Sequence, residues 1–344
     1  LVPPFDEGVR MVHALPTAAE LDEFAETADR VRAAMESVIS GRPELVRLTI
    51  SVLLAEGHLL LEDVPGVGKT TLAKSLAKAI DCTVGRIQFT PDLLPSDLTG
   101  VSIYRQQQHE FEFRPGPVFA NIVIADEINR ASPKTQSALL ECMQEAQATI
   151  DGTTYQLPRP FLVVATQNPI EMEGTYALPE AQRDRFMARL SVGYPGRNAE
   201  VEMLERRETA DPLAAVRPVA DVETITGMIA LARRLYAAPG IKQYVVDLAE
   251  ATRTDPMLRL GASPRAAIQL LRAAKALAAM NGRDHVLPDD IQDLAVPVLA
   301  HRLLPSTDAR LAGHSVTESI TAIVARTRLP VSGRAAAPDR RATG

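Results

Sequence analysis

The fold class follows from residues 58 to 70, which read His58-Leu59-Leu60-Leu61-Glu62-Asp63-Val64-Pro65-Gly66-Val67-Gly68-Lys69-Thr70. An apolar run typical of a buried strand leads into a glycine-rich turn, and an amphipathic helical pattern follows the turn. A turn of this kind collects backbone N–H groups and a helix N-terminus around an anion. The stretch therefore predicts a phosphate-binding loop for a nucleoside triphosphate.

Each polar group of this loop has an expected role. Lys69 would reach the β- and γ-phosphates, and the hydroxyl of Thr70 would ligate Mg²⁺. We expect the nucleotide to contact the following loop residues: Pro65, Gly66, Val67, Gly68, Lys69, Thr70 and Thr71. The usual pattern GxxxxGK[ST] has glycine where this chain has Asp63. Because aspartate tolerates turn conformations better than most residues, we expect the turn to be kept.

A second apolar run ends in two neighbouring carboxylates. It reads Asn121-Ile122-Val123-Ile124-Ala125-Asp126-Glu127, which is typical of a buried strand. A parallel strand beside the loop strand would bring Asp126 toward Mg²⁺. It would also bring Glu127 toward the γ-phosphate, where a base can orient an attacking water.

A third apolar run, Phe161-Leu162-Val163-Val164-Ala165-Thr166, is followed by Gln167-Asn168-Pro169. If this strand lies between the other two, Asn168 could contact both the γ-phosphate and the water. An asparagine before a proline is also a common turn residue, so the residues alone leave both interpretations open.

Composition is that of a globular protein with room for more than one domain. The chain has 344 residues, of which 46% are hydrophobic and 23% charged, and its net charge is −6. Lysine and arginine form no dense runs, which argues against a large nucleic-acid footprint. Cys82 and Cys142 show no metal-site spacing, and no stretch approaches 18 apolar residues. We expect reduced cysteines, no membrane span and a cytoplasmic location.

The pattern of apolar and turn residues divides the chain into four segments. Two hairpins are predicted inside the α/β core, one over residues 91–117 and one around the turn pair Asp151-Gly152. After Tyr194-Pro195-Gly196-Arg197 the periodicity is helical. The segments are a flexible start (1–17), an α/β core with an αβα sandwich and a parallel sheet (18–195), a helical lid domain (196–330) and a disordered tail (331–344).

Three motifs together resemble the MoxR family of AAA+ ATPases. They are Ala125-Asp126-Glu127-Ile128-Asn129-Arg130-Ala131, the strand end Ala165-Thr166-Gln167-Asn168-Pro169, and Leu178-Pro179-Glu180-Ala181-Gln182-Arg183-Asp184-Arg185-Phe186. The resemblance covers roughly residues 30 to 330, and the two hairpins resemble the insertions of that branch of AAA+ proteins. It implies an AAA+ core with a helical lid, a ring that is usually hexameric, and an active site shared between neighbouring subunits.

The resemblance also suggests roles for residues outside the loop. Arg185 resembles the arginine finger that points into the next subunit's nucleotide, although Arg183 stands where the family commonly has an apolar residue. Arg265 resembles the sensor-2 arginine that couples nucleotide state to lid position, so the resemblance places it among the residues that bind the nucleotide. Val38-Ile39-Ser40-Gly41 resembles the adenine-contacting segment, followed by Arg42 in place of the expected glutamine. The identity of the base therefore rests on the resemblance.

These observations predict an ATPase that uses ATP and Mg²⁺ and acts as a chaperone-like remodeller of protein complexes. The resemblance implies a separate partner with a von Willebrand factor A domain, in addition to a protein client. Two alternatives stay open. One is a nucleic-acid motor or a chelatase-type ATPase subunit, since that branch includes both, and the other is a nucleotide-gated scaffold with little turnover.

Overall fold

A parallel sheet lies at the centre of the N-terminal region, and the predicted apolar runs form its strands. The structure, a computed structural model, describes residues 15–64, 66–107, 109–168, 176–209 and 211–330. The predictions for Pro65, for the flexible start up to residue 14 and for the tail over residues 331–344 lie outside these ranges.

The strands are short, as expected for the core of an α/β domain. They are β1 (Leu59–Glu62), β2 (Val84–Gln88), β3 (Gly100–Arg105), β4 (Glu110–Pro115), β5 (Ile122–Asp126), β6 (Gln147–Ile150), β7 (Thr153–Gln156), β8 (Leu162–Gln167), β9 (Ala188–Leu190), β10 (Leu258–Leu260) and β11 (Leu304–Pro305).

In the described part of the chain, the central sheet has five strands in the order β2-β5-β8-β1-β9, and all neighbours are parallel. The strand that leads to Asn168, β8, lies between β1 and β5 as predicted. The acid-bearing strand β5 is therefore not directly beside the loop strand, which corrects that expectation. All carboxyl ends still share one edge, because parallel strands point the same way.

Several helices begin at residues whose side chains cap the helix. Thr17 forms a capping box with Glu20 at the first helix, and Ser132, Asp221 and Ser263 cap later ones through their side chains. The helices are α1 (Ala18–Glu36), α2 (Pro43–Leu54), α3 (Lys69–Ala79), α4 (Pro95–Thr99), α5 (Pro133–Glu145), α6 (Glu180–Arg183), α7 (Arg197–Thr209), α8 (Pro212–Ala215), α9 (Val222–Arg234), α10 (Pro239–Thr254), α11 (Pro264–Met280), α12 (Pro288–Leu299), α13 (Thr307–Leu311) and α14 (Val316–Arg326).

Alternate residues of each central strand face opposite sides of the sheet, and both sides are buried. In β1, Leu59 and Leu61 join one apolar cluster while Leu60 joins the other. Helices α1, α2 and α3 cover the first side together with helices after residue 222, and α5 covers the second. This is the predicted αβα sandwich, and a strand buried on both faces explains the continuous apolar runs.

Both predicted hairpins are present. Strands β3 and β4 pair antiparallel before β5, and β6 and β7 pair antiparallel after α5. Asp151 and Gly152 form the two-residue turn of the second hairpin, with φ of 49° and 81°. Positive φ at both positions is what a type I′ turn requires, so the Asp-Gly pair was a reliable signal.

The lid is helical as predicted, but the structure adds elements that periodicity did not indicate. The β10–β11 ribbon is too short to show alternation, and α13 and α14 follow it. Helix α12 ends at Leu299, and a 3₁₀ turn over Ala300–Arg302 follows it. The predicted boundary at residue 195 falls between β9 and α7 and stays a prediction. No described helix is long and apolar enough to cross a membrane.

Candidate active site

The loop between β1 and α3 has the backbone that an anion site needs. Gly66 and Gly68 have φ of 83° and 93°, a region that favours glycine. Gly68 is the N-cap of α3, and a Cβ added to either glycine would meet no atom within 4 Å. The space around both glycines is therefore open at the N-terminus of α3, the positive end of a helix, which is a favourable place for a phosphate.

The two remaining polar features of the loop are Lys69 and Asp63. The Lys69 Nζ donates a hydrogen bond of 2.6 Å to the backbone carbonyl of Asp63. Asp63 does not have a positive φ, so the glycine of the usual pattern is not required there. The turn is kept, as the sequence predicted.

The metal-ligand candidates Thr70 and Asp126 lie together at the carboxyl edge of the sheet. The Thr70 hydroxyl is 3.3 Å from Oδ1 of Asp126. Thr166, at the end of β8, donates to the same carboxylate oxygen at 3.5 Å, and the Nε of Arg86 donates to the other at 2.9 Å. A buried carboxylate needs such hydrogen-bond partners. Here Thr70, Thr166 and Arg86 hold the Asp126 carboxylate beside the start of α3.

Glu127 lies beside this pair in an unusual backbone conformation. Its φ is 60°, which is strained for a residue with a side chain, and its N–H donates to the Thr166 hydroxyl at 2.9 Å. The Oε2 atom accepts hydrogen bonds from Gln88 at 3.0 Å and Arg130 at 2.9 Å. The Thr166 hydroxyl thus contacts both acidic residues, and the side chains of Gln88 and Arg130 fix the direction of the Glu127 carboxylate.

Asn168 is buried directly after β8, between the strands that end in the loop and in the acids. It therefore lies at the same edge as Lys69, Asp126 and Glu127, where the sequence placed it. A cavity of about 340 Å³ runs along the loop and includes Gly66, Val67, Gly68 and Thr71. The segment expected to contact adenine lines this cavity, together with Arg42 and residues 192–195.

Arg185 and Arg265 lie at the opposite edge of the sheet. Both oxygens of Asp184 accept from the Ser263 hydroxyl, at 2.9 and 3.1 Å, so the start of α11 adjoins the Arg185 segment. That segment precedes β9, and the N–H of Met187 donates to the carbonyl of His58, just before β1. Because β1 and β9 are parallel, this is the amino edge.

The sequence grouped Arg265 with the residues that bind the nucleotide, and the structure does not bring it to the loop of its own chain. The described residues that line the loop cavity do not include it. Strand β1, about 13 Å long, separates the two edges. Arg185 also faces away from the loop, and its Nε donates to Gln144 at the end of α5 at 3.3 Å.

The amino edge also contains a buried cation that the sequence analysis missed. The side chain of Arg302 is 2% exposed and lies 3.7 Å from Asp184. Its guanidinium donates to the Phe186 carbonyl and to Gln269, and burial lowers its pKa to about 10, which leaves it charged at neutral pH. The His301-Arg302 pair after the apolar run Val298-Leu299-Ala300 was the available signal.

Known proteins resemble this chain along most of its length. Residues 58–188 match the model of the ATPase family associated with various cellular activities (AAA), and residues 250–323 match the AAA lid domain. The chain is 43% identical over 306 residues to Chaperone MoxR1 of Mycobacterium tuberculosis, which covers 86% of this chain and 81% of that protein. The chain belongs to the MoxR family of AAA+ ATPases.

Further relatives agree with membership of the MoxR family. Protein YeaC of Bacillus subtilis is 49% identical over 294 residues, which cover 86% of this chain and 92% of YeaC. A crystal structure of a protein from Cytophaga hutchinsonii superposes with a TM-score of 0.84 at 40% identity, covering 90% of this chain and 96% of that one. The family and the fold expected from the sequence, an AAA core with a helical lid, are confirmed.

Proposed function

We propose that this MoxR-family protein hydrolyses ATP with Mg²⁺ and uses the energy to remodel other proteins. The observation that carries the proposal is the meeting of Thr70 with Asp126, at 3.3 Å, beside Lys69 and Glu127. Lys69 and Thr70 begin helix α3, whereas Asp126 and Glu127 stand at the end of strand β5, so their convergence is a property of the fold. Such a convergence of a hydroxyl, a cation and two acids suits phosphoryl transfer to water.

The donor set fits a magnesium nucleotide. Two neighbouring ligands of octahedral Mg²⁺ lie about 3 Å apart, close to the separation of the Thr70 and Asp126 oxygens. The cavity of about 340 Å³ is within the range of small-molecule sites. When bound, Mg²⁺ would neutralise charge on the β- and γ-phosphate oxygens. ATP rather than another nucleotide is inferred from family membership.

The residues of the carboxyl edge then divide the work. The loop amides from Gly66 to Thr71 and the ammonium of Lys69 bind and orient the phosphates. Glu127 orients the attacking water and accepts its proton, with Gln88 and Arg130 fixing its carboxylate. Asn168, which follows β8 between β1 and β5, hydrogen-bonds the same water.

Arg185 and Arg265 act, in this proposal, on the nucleotide of a neighbouring subunit. Both belong to the amino edge, away from their own loop, so a second copy must supply the phosphates that they neutralise. Arg185 suits this role better than Arg183, because Arg183 contributes to the environment of buried His301 while Arg185 contacts exposed Gln144. A closed ring, hexameric by family likeness, pairs every loop with an arginine edge.

The remodelling role rests on the relatives. Chaperone MoxR1 is named for such an activity, and we extend it to this chain. A client protein, a von Willebrand factor A partner and a cytoplasmic location are carried over from the family likeness and stay predictions.

The test is the Glu127→Gln variant, assayed for phosphate release and for retained nucleotide. We expect turnover to fall by about 10²–10⁴-fold while ATP stays bound, because the variant lacks a base but keeps the phosphate ligands. Glu141→Gln, on the exposed face of α5, is the matched control and should hydrolyse ATP like the wild type. Equal hydrolysis by wild type and Glu127→Gln would refute the assignment, and a wild type without turnover would favour the nucleotide-gated scaffold.

A nucleic-acid motor remains the second candidate, because the β3–β4 hairpin exposes two aromatic rings. Tyr104 and Phe111 contact each other with ring centroids 5.2 Å apart, and Phe111 is 73% exposed. Exposed aromatic rings can stack on unpaired bases. ATPase stimulation by single-stranded DNA with a steep salt dependence would support this candidate over the remodeller.

A further inference from the structure

Asp63, the residue that departs from the phosphate-loop pattern, uses its side chain to hold a distant segment. Its Oδ2 accepts a hydrogen bond of 2.7 Å from the Ser191 hydroxyl and one of 2.5 Å from the Gly193 N–H. Its Oδ1 accepts the N–H of Val64 at 2.7 Å. One carboxylate therefore joins the first turn of the phosphate loop to residues 128 and 130 positions away.

We call residues 191–195 the strap. The strap leaves β9 after Leu190 and leads to α7, which begins at Arg197. Four of its residues, Val192, Gly193, Tyr194 and Pro195, line the cavity beside the loop. Arg42, before α2, donates to the carbonyl of Tyr194, so the strap is held from both sides. Its position sets one wall of the cavity.

The chemistry at position 63 requires an ionised carboxylate. Three donors converge on two oxygens, and an asparagine would turn its amide toward the Val64 or the Gly193 N–H, which leaves one donor unpaired. Burial raises the pKa of Asp63, but the hydrogen bonds from Ser191, Gly193 and Val64 and the charge of Lys69 outweigh it and lower the pKa. The group is therefore charged at neutral pH, and its hydrogen bonds are of the stronger, charge-assisted kind.

We propose that Asp63 is a positioning residue that clamps the strap onto the phosphate loop and so sets the nucleotide release rate. The backbone carbonyl of Asp63 also accepts a hydrogen bond from Lys69, so the same residue contacts both the lysine of the loop and the wall of the cavity. Movement of Lys69 onto a phosphate leaves the carboxylate contacts in place, which keeps the wall closed over the nucleotide. The inference rests on the nucleotide binding proposed above.

The test restores the glycine of the usual pattern. Asp63→Gly and Asp63→Asn are compared with wild type for the dissociation constant and release rate of a fluorescent methylanthraniloyl-ADP, and for Tm without nucleotide. We expect affinity to fall about tenfold, mainly through faster release, because charge-assisted hydrogen bonds are lost. KM should rise while kcat stays nearly unchanged, since Asp63 does not contact reacting groups.

Ser191→Ala provides a gentler variant and a double-mutant cycle. Alone, it should speed release about threefold, because it removes one of the strap's two donors. In the Asp63→Gly background it should have no further effect. Asp221→Asn is the matched control, because Asp221 also accepts two hydrogen bonds, from Thr224 at 2.8 and 2.6 Å, at the start of α9. It should lower Tm without changing nucleotide release.

Three outcomes would overturn the clamp. The first is a wild-type release rate in Asp63→Gly, and the second is additive effects of Asp63→Gly and Ser191→Ala. The third is faster nucleotide release in Asp221→Asn, which would show that release follows the loss of Tm and not the loss of the Asp63 contacts. Amide hydrogen exchange of Gly193 without nucleotide gives a separate readout, with protection expected in wild type and lost in Asp63→Gly. If wild type binds no nucleotide, the proposed function fails, whereas an unprotected Gly193 in wild type refutes the clamp alone.

Discussion

The two edges of the central sheet carry different halves of the chemistry. At the carboxyl edge, Asp126 and Glu127 lie beside the phosphate loop, and each binds an arginine of the same edge at 2.9 Å. At the amino edge, Arg302 is buried against Asp184, and Arg185 and Arg265 adjoin that cluster. One edge carries the proposed magnesium-nucleotide site, and the other carries cations without a phosphate loop. A single chain therefore carries the phosphate loop and the arginines Arg185 and Arg265 on opposite edges of its sheet.

The amino edge has its own internal order. Asp184 lies between the Arg185 segment and the start of α11, where it accepts from Ser263 at 2.9 Å and lies 3.7 Å from Arg302. A buried arginine is costly unless a carboxylate and hydrogen-bond acceptors surround it. This cluster therefore ties the lid to the segment that carries the proposed finger.

The largest expected effect is a loss of turnover without a loss of nucleotide affinity when the arginine of the amino edge is removed. Arg185→Ala should lower kcat by about 10³-fold or more, because the finger neutralises charge that develops in phosphoryl transfer. Nucleotide affinity should stay within a factor of about three, because the residue does not belong to the loop cavity. Steady-state kinetics with a separate binding titration would measure both. Arg183→Ala is the control, and a larger loss of kcat in that variant would reassign the finger.

Lys69→Ala tests the other edge and should show the opposite pattern. The dissociation constant for ATP should rise about a hundredfold, because a charged hydrogen-bond donor to phosphate is removed. Lys74→Ala, on the same helix, provides the comparison and should bind normally. Unchanged ATP affinity in Lys69→Ala would refute the assignment of this loop as the phosphate-binding site.

Asp184→Asn sharpens the comparison within the amino edge. It should lower kcat about tenfold with KM unchanged, because the Arg185 segment loses its attachment to Ser263 and the charge beside Arg302. Glu180→Gln, an exposed neighbour on α6, should leave kcat unaltered. If Asp184→Asn alters KM instead, the cluster serves binding rather than transfer.

The smallest expected effect is on stability and comes from His58, at the amino edge. Burial lowers its pKa to about 4, only partly opposed by its hydrogen bond to the Met143 carbonyl at 2.9 Å. The unfolded chain binds the proton below its ordinary pKa of 6.5, while the folded chain resists it until about pH 4. The free energy of unfolding should therefore fall by about 3 kcal/mol as the pH falls from 6.5 to about 4.

Urea unfolding between pH 7 and pH 4 measures that loss. His58→Gln should be less stable at pH 7 and should show a shallower fall toward pH 4, since it does not titrate. His109→Gln, which removes an exposed histidine of the β3–β4 connection, should keep the wild-type slope. A wild-type slope in His58→Gln would show that other groups control the acid transition.

The sequence could place the candidate residues of the carboxyl edge together, because each of them follows an apolar run. Lys69, Asp126 and Asn168 each follow a buried strand, and parallel strands bring their carboxyl ends to one edge. Arg265 and Arg302 could not be placed in this way, because a cation in or after a helix has the same pattern as a solvated one. Only the fold brings Arg302 to Phe186, 116 positions away.

The same limit applies to Asp63. Its departure from the loop pattern was visible in the sequence, but its partners Ser191 and Gly193 follow a three-residue strand far along the chain. A local sequence pattern identifies the residue type at a loop position. It does not indicate which N–H groups from distant parts of the chain lie near that residue. The departure was therefore identified from sequence, and its role required the structure.

The central claim, that one chain's arginine edge completes another chain's phosphate loop, is tested most directly by mixing Arg185→Ala with Lys69→Ala protein. Each variant alone should be nearly inactive. In an equimolar ring about a quarter of the interfaces pair an intact loop with an intact finger, so the mixture should regain up to about a quarter of wild-type turnover. A mixture that never exceeds the sum of its two components would contradict the claim.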